Sequence, residues 1–156
     1  MTKLASAFGE KYQQSANSIR TKSFQLGDHT FKVRVPLNKE IEEMDARMEV
    51  CDPDELDARY EKISAPFKAD GIKEGVEISE DDVIVEGRSC KELAKSAIQV
   101  EQRIVEYVKL LIVENGDLND LTYVDIDSEF PFQIQIELMA KITEVIQPGY
   151  KESRKN

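Results

Sequence analysis

The sequence predicts a mainly helical α+β fold, a helical domain with a small N-terminal β-hairpin and one further short strand. Three observations predict it. Apolar residues recur at spacings of three and four through most of the chain. Alternation with a period of two dominates one stretch only, near residues 23–35. Proline, glycine and capping side chains punctuate the helical stretches at their ends. The length, 156 residues, suits one domain that buries a core without staples. Residues 1–150 are read as that domain, and residues 151–156 as a flexible basic tail.

Leu4, Phe8 and Tyr12 stand four apart, on one face of a helix over residues 3–15 that Gly9 weakens. Phe24 and Leu26, then Phe31, Val33 and Val35, alternate on either side of Gly27-Asp28, the pattern of a β-hairpin. Pro36 ends its second strand because proline has no N–H for a ladder. Asn38 is placed to cap a helix that carries Ile41, Met44 and Met48 inward. Asp52-Pro53-Asp54-Glu55 reads as another start: a cap aspartate, proline at the first helical position, and acids facing the positive helix end. Leu56, Tyr60 and Ile63 form that helix's apolar face, and Pro66 is expected to close it.

Residues 67–82, with Gly71, Gly75 and Glu80-Asp81-Asp82, read as loop. Val83-Ile84-Val85 reads as the one further strand. Ser89 and Glu92 have the spacing of a capping box. They open the strongest helix, residues 90–114, which would run about 37 Å. Its apolar stripe is Leu93, Ala97, Ile98, Ile104, Val105, Val108, Leu111 and Ile112, and Asn115-Gly116 supplies the stop. A last helix starts near Phe130-Pro131 and turns Phe132, Ile136, Met139, Ile142 and Ile146 inward. Pro148-Gly149 ends it.

Net charge is −10, with 33% charged and 40% hydrophobic residues, a globular balance with a heavily solvated surface. The charge is uneven: residues 1–35 carry +4, residues 36–147 carry −16 and residues 148–156 carry +2. An acidic body repels phosphate backbones, so no nucleic-acid partner is expected. Basic ends on an acidic body would favour salt-sensitive head-to-tail contacts between copies. No apolar run reaches the roughly 18 residues of a membrane-spanning helix, so no membrane partner is expected. The N-terminal MTKLASAFGEKYQQ lacks the apolar core of a signal peptide, which makes the cytoplasm the expected compartment. Cys51 and Cys90 form no CxxC pair and read as free thiols.

Catalytic patterns are missing from the residues. The one histidine, His29, falls at the hairpin turn. One histidine and two separated cysteines do not make a four-ligand zinc site, and there is no GxSxG elbow for a nucleophilic serine. Neither GxxxxGK[ST] nor GxGxxG occurs. Asp117 to Thr122 has the look of a calcium loop, but Leu121 and Thr122 stand where an oxygen ligand and a glycine are needed. The expectation is no enzyme, no cofactor and no metal. An enzyme working by carboxylates alone, with Mg²⁺, would require several acids converging in one concave site.

Two segments, SFQLGDHTFKVRVPLNKEIEEMDARM and FPFQIQIELMAKITEVIQPGYKESRKN, resemble the tail assembly chaperones of long-tailed (siphovirus-type) bacteriophages and prophages. The first is similar to that family's aromatic hairpin, closed by a valine-proline step and followed at once by an acidic helix. The second is similar to its closing helix, with a proline, an aromatic and a short basic tail. Val83 to Gly87, leading into a capped long helix, also looks like the family. The resemblance covers about half the chain.

It implies a small protein of the bacterial host cytoplasm that coats the tape-measure protein, recruits tail-tube protein, and is absent from the finished virion. It also implies self-association into rings or spirals, whose closure depends on the rotation between copies. Many members are made in two lengths by a ribosomal frameshift. Arg154-Lys155-Asn156 is encodable with the run A AAA AAC on which ribosomes slip, and the gene's codons decide that point. Leu111 and Ile112, at the end of the apolar stripe, and Tyr150, Arg154 and Lys155, in the tail, are the candidate partner-binding residues. A non-phage cytoplasmic adaptor or regulatory subunit would share every compositional feature, and gene neighbourhood separates the two.

Overall fold

The computed structural model describes residues 2–70 and 73–147. In chain order the elements are α1 (Lys3–Phe8), α2 (Glu10–Ile19), β1 (Thr21–Leu26), β2 (His29–Arg34), α3 (Asn38–Glu49), α4 (Pro53–Ala69), β3 (Val76–Ile78), β4 (Val83–Val85), β5 (Arg88–Ser89), α5 (Cys90–Val108), β6 (Leu111–Ile112), α6 (Tyr123–Glu129) and α7 (Phe132–Ile146). The class is the mainly helical α+β one. Two compact units are formed, one from Met1–Glu42 with Ile104–Asn156, the other from Glu43–Arg103.

In the first unit the predicted single N-terminal helix is two. Gly9, at φ +91°, takes a conformation that residues with a Cβ rarely adopt, and it breaks α1 from α2. Thr2 caps α1, its Oγ1 accepting from the Ala5 N–H at 3.1 Å. The hairpin forms as its alternation requires: β1 and β2 pair antiparallel, with Phe24 opposite Phe31 and their rings stacked 5.5 Å apart. Val33 is fully buried, and Phe24, Leu26 and Phe31 are partly so. On the far side of β2 lies β6, giving the strand order β1-β2-β6. α7 lies against β1 and β2.

The sequence placed Leu111 and Ile112 in the long helix, and the structure corrects this. α5 ends at Val108, where the Leu110 N–H reaches back only three residues, to the Tyr107 carbonyl at 3.1 Å. The Leu110 carbonyl then accepts from the Arg34 N–H at 2.9 Å. Leu111 and Ile112 pair with Val33 and Lys32. A two-residue strand is too short to leave alternation in the sequence.

The end of the chain needs two further corrections. A short helix, α6, precedes α7; it is capped by Thr122 and Asp125, which exchange side-chain-to-backbone hydrogen bonds. The fully buried face of α7 is Gln135, Leu138 and Ile142; of the expected row Ile142 is buried, Ile136, Met139 and Ile146 are half-buried, and Phe132, at 54% exposed, is not inward. Gln135 is fully buried because its side chain is paired throughout. Its Oε1 accepts from the Tyr123 hydroxyl at 2.8 Å, and its Nε2 donates to the Phe130 carbonyl at 2.8 Å and to Asp127 at 3.1 Å. The expected stop at Pro148-Gly149 and the basic tail lie outside the described residues.

In the second unit α4 starts as read: Asp52 Oδ1 accepts from the Asp54 N–H at 3.0 Å, and Pro53 opens the helix. Pro66 does not close it. Proline removes one helical hydrogen bond, and α4 continues to Ala69, carrying Phe67 onto the core cluster of Tyr60, Val83, Cys90 and Ala94. Leu56 and Ile63 pack on the same cluster. The stretch read as loop contains β3, which pairs with β4, and β4 pairs with β5 in a second three-stranded sheet. Arg59 joins α4 to α5 through Glu101, one guanidinium nitrogen lying 2.9 and 2.7 Å from the two carboxylate oxygens.

Candidate partner-binding surface

Of the apolar row predicted for the N-terminal helix, Leu4 and Phe8 are exposed and Tyr12 is half-buried. Neither α1 nor α2 buries a residue. Leu4 is 66% exposed, Phe8 61% and Ile19 64%. Phe8 and Tyr12, one turn apart across Gly9, meet edge to face with ring centroids at 5.0 Å. At about 25 cal/mol per Å² of apolar surface, such side chains gain free energy from any apolar covering. Leu4 and Phe8, on a helix with a capped start, are candidates for contact with a partner.

Ile112 is 45% exposed on β6, at the edge of the sheet, and Leu111 is half-buried beside Val33. Of the two, Ile112 is the one available to a partner. Tyr150, Arg154 and Lys155 lie outside the described residues. Of the stripe from which Leu111 and Ile112 were drawn, Ile98, Ile104 and Val108 are buried, and Leu93 is 39% exposed.

An ion network closes the hairpin onto α3. Arg20 donates to the Val35 carbonyl, at 3.2 Å from Nε and 3.1 Å from a terminal nitrogen, and to Glu40 Oε1 at 3.0 Å. Arg34 donates to Glu40 Oε2. Partial burial pushes the Glu40 carboxyl up, but the hydrogen bond and charge of Arg34, with Arg20 and the Leu37 N–H, outweigh it and hold the group below its ordinary range. Pro36, buried, sits between the strand and the helix that supplies Glu40. The sequence reading named the Val35-Pro36 step and the acidic helix but missed this network. The signal available was Arg34 alternating with Val33 on β2, with an acid six residues on.

His29 is exposed beside the turn, its ring edge-on to Phe31 at 4.5 Å. Cys90 is buried; burial raises its thiol pKa, the nearby Asp82 carboxylate raises it further, and Lys68 partly offsets both. Among the described residues, no three His, Cys, Asp or Glu side chains are grouped to hold a metal ion, and no helix is long and apolar enough to cross a membrane. No family model, curated protein or solved structure matches the chain.

Proposed function

We propose that this protein is a tail assembly chaperone of a long-tailed bacteriophage or prophage. In this reading it binds the helical tape-measure protein in the host cytoplasm, recruits tail-tube subunits, and leaves before the virion is finished. It works by surface complementarity, not by catalysis.

The observation that supports the binding half is the exposed apolar row of Leu4 and Phe8 on α1, with Ile19 exposed on α2, two helices that bury no residue of their own. A helical client with an apolar stripe covers such a row by helix-to-helix packing. The acidic body, −16 over residues 36–147, gives coated complexes mutual repulsion and keeps a long helical client dispersed. The choice of client rests on the family resemblance. Its supporting segment is the aromatic hairpin, the buried Pro36 and the acidic α3, which carries Ile41, Met44 and Met48 inward.

The test is co-expression with the tape-measure protein of the same genome. The expected result is a soluble complex that co-purifies with the wild-type chain and is lost when Leu4 and Phe8 are both changed to Asp. A tape-measure protein that stays insoluble, with nothing co-purifying, would refute the proposal.

A further inference from the structure

The polar side of the β1-β2-β6 sheet carries a hollow of about 570 Å³. Strand register builds its floor. Thr21 stands opposite Arg34, and Lys32 stands opposite Ile112, so each pair projects from one side of the sheet. The end of α2 and Arg20 complete the rim. Three cations therefore face one hollow, in a chain of net charge −10. Among the described residues the one acid bonded to any of them is Glu40, which bridges Arg20 and Arg34 and leaves an excess of two positive charges there.

The donors are not used up. Lys32 is exposed and forms no ion pair among the described residues. Arg34 reaches Glu40 through one terminal nitrogen, leaving other N–H groups of its five-donor fork. Such a fork matches a carboxylate in two-point geometry, and the Lys32 ammonium adds a point charge beside it. Ile112 sets an apolar wall against these donors.

We infer that this hollow docks a short acidic stretch of a partner polypeptide, one carboxylate on Lys32 and Arg34 and a neighbouring apolar side chain on Ile112. Charge complementarity selects the occupant. A long polyanion such as nucleic acid is repelled by the rest of the chain, whereas a short acidic segment meets only the local excess of positive charge. A bare phosphate has no use for the apolar wall. The volume lies in the range of about 300–1,000 Å³ that suits a few side chains or a small ligand. The inference goes beyond tail assembly, and a tape-measure protein that fails to bind leaves it standing.

The probe is fluorescein-labelled Glu-Glu-Leu-Glu-Glu amide, titrated by anisotropy at low salt, with Lys-Lys-Leu-Lys-Lys amide as control. The wild-type chain is expected to bind the acidic peptide and not the basic one. Lys32→Glu is expected to weaken binding by roughly tenfold or more, the size of one charge-assisted hydrogen bond. Ile112→Ser should weaken it by a smaller factor. Both positions are exposed, and unchanged helical circular dichroism establishes that the variants fold. Equal affinity in Lys32→Glu, or no saturation at millimolar peptide, overturns the inference. So does displacement of the peptide by pyrophosphate at equal or lower concentration, which would make the site a simple anion site. Lys32-dependent self-association in sedimentation, without peptide binding, would give the hollow to a second copy and also overturn it.

Discussion

Asp82 and Ser89 meet at the start of α5, where the Ser89 hydroxyl donates to Asp82 Oδ2. Asp82 Oδ1 accepts the N–H of Val83 at 2.8 Å and that of Lys91 at 3.2 Å, while Ser89 Oγ accepts the N–H of Glu92 at 3.2 Å. Two side chains thus satisfy two otherwise unpaired amides in the first turn of the helix and tie β4 to it. Ser89→Ala is expected to cost about 1 kcal/mol in urea unfolding. Asp82→Ala should lower the melting temperature clearly, while the same change at exposed Glu80 or Asp81 leaves it unmoved. Equal effects at all three acids would mean that Asp82 has no capping role.

The same carboxylate gives a pH dependence with a fixed sign. The Ser89 hydrogen bond is the main cause that holds Asp82 below its ordinary 3.8; partial burial opposes it, and the Lys91 and Val83 amides and the Lys91 charge add to the lowering. A depressed folded-state pKa contributes stability that is complete above the unfolded value and is lost as pH falls through the folded one. Asp125, held down by the Thr122 amide and hydroxyl, and Glu40 act with the same sign. Asp82→Asn should therefore show a shallower loss of melting temperature than wild type as pH falls from 3.8. Parallel acid limbs for the two proteins would contradict this assignment.

Leu138 and Ile142 are fully buried on α7, whereas Phe132 is 54% exposed. Leu138→Ala or Ile142→Ala is expected to cost about 2–5 kcal/mol, through lost burial and the cavity left behind. Phe132→Ala should stay within about 0.5 kcal/mol of wild type. Denaturant midpoints at constant slope measure the difference.

Gln135 places a polar side chain in that same interior, with each of its amide ends paired. Gln135→Leu keeps the volume near constant but leaves the Phe130 carbonyl and the Tyr123 hydroxyl without this partner. The expected cost is about 1–3 kcal/mol. Changing Tyr123 to Phe in the Gln135→Leu background should recover part of it, because the hydroxyl that lost its bond to Gln135 is then removed.

Local chemistry was legible. The hairpin, the cap at Asp52, and the inward rows Ile41, Met44, Met48 and Leu56, Tyr60, Ile63 all depend on residues within a few positions of each other. Gly9 was read as a weak point and is a break, because its positive φ is unavailable to the helix on either side. β3 and β5 were missed since strands of three and two residues carry too little alternation to register. α6 was missed although Thr122 and Asp125 have capping spacing, because its apolar pattern is a single buried side chain, Ile126.

The candidate surface was legible only in part. Leu4, Phe8 and Tyr12 were recognised as one face, but nothing local says whether a face is covered. Ile112 was selected as the end of a helical stripe and is exposed for another reason, its place on an edge strand. The cations Arg20, Lys32 and Arg34 converge because the sheet register aligns them, and register is written in pairings between strands.

By itself the sequence determined the mainly helical α+β class, the hairpin, most helix starts and the division of charge between basic ends and acidic body. These follow from propensity, capping and period, which act over one or two turns of chain. The tertiary structure alone decided where α5 stops, which side of α7 is inward, and which apolar and cationic side chains are left facing solvent. Each of those outcomes is a competition for partners. Leu111 leaves the helix because Val33, far back in the chain, offers it a strand, and no window of neighbouring residues contains that offer.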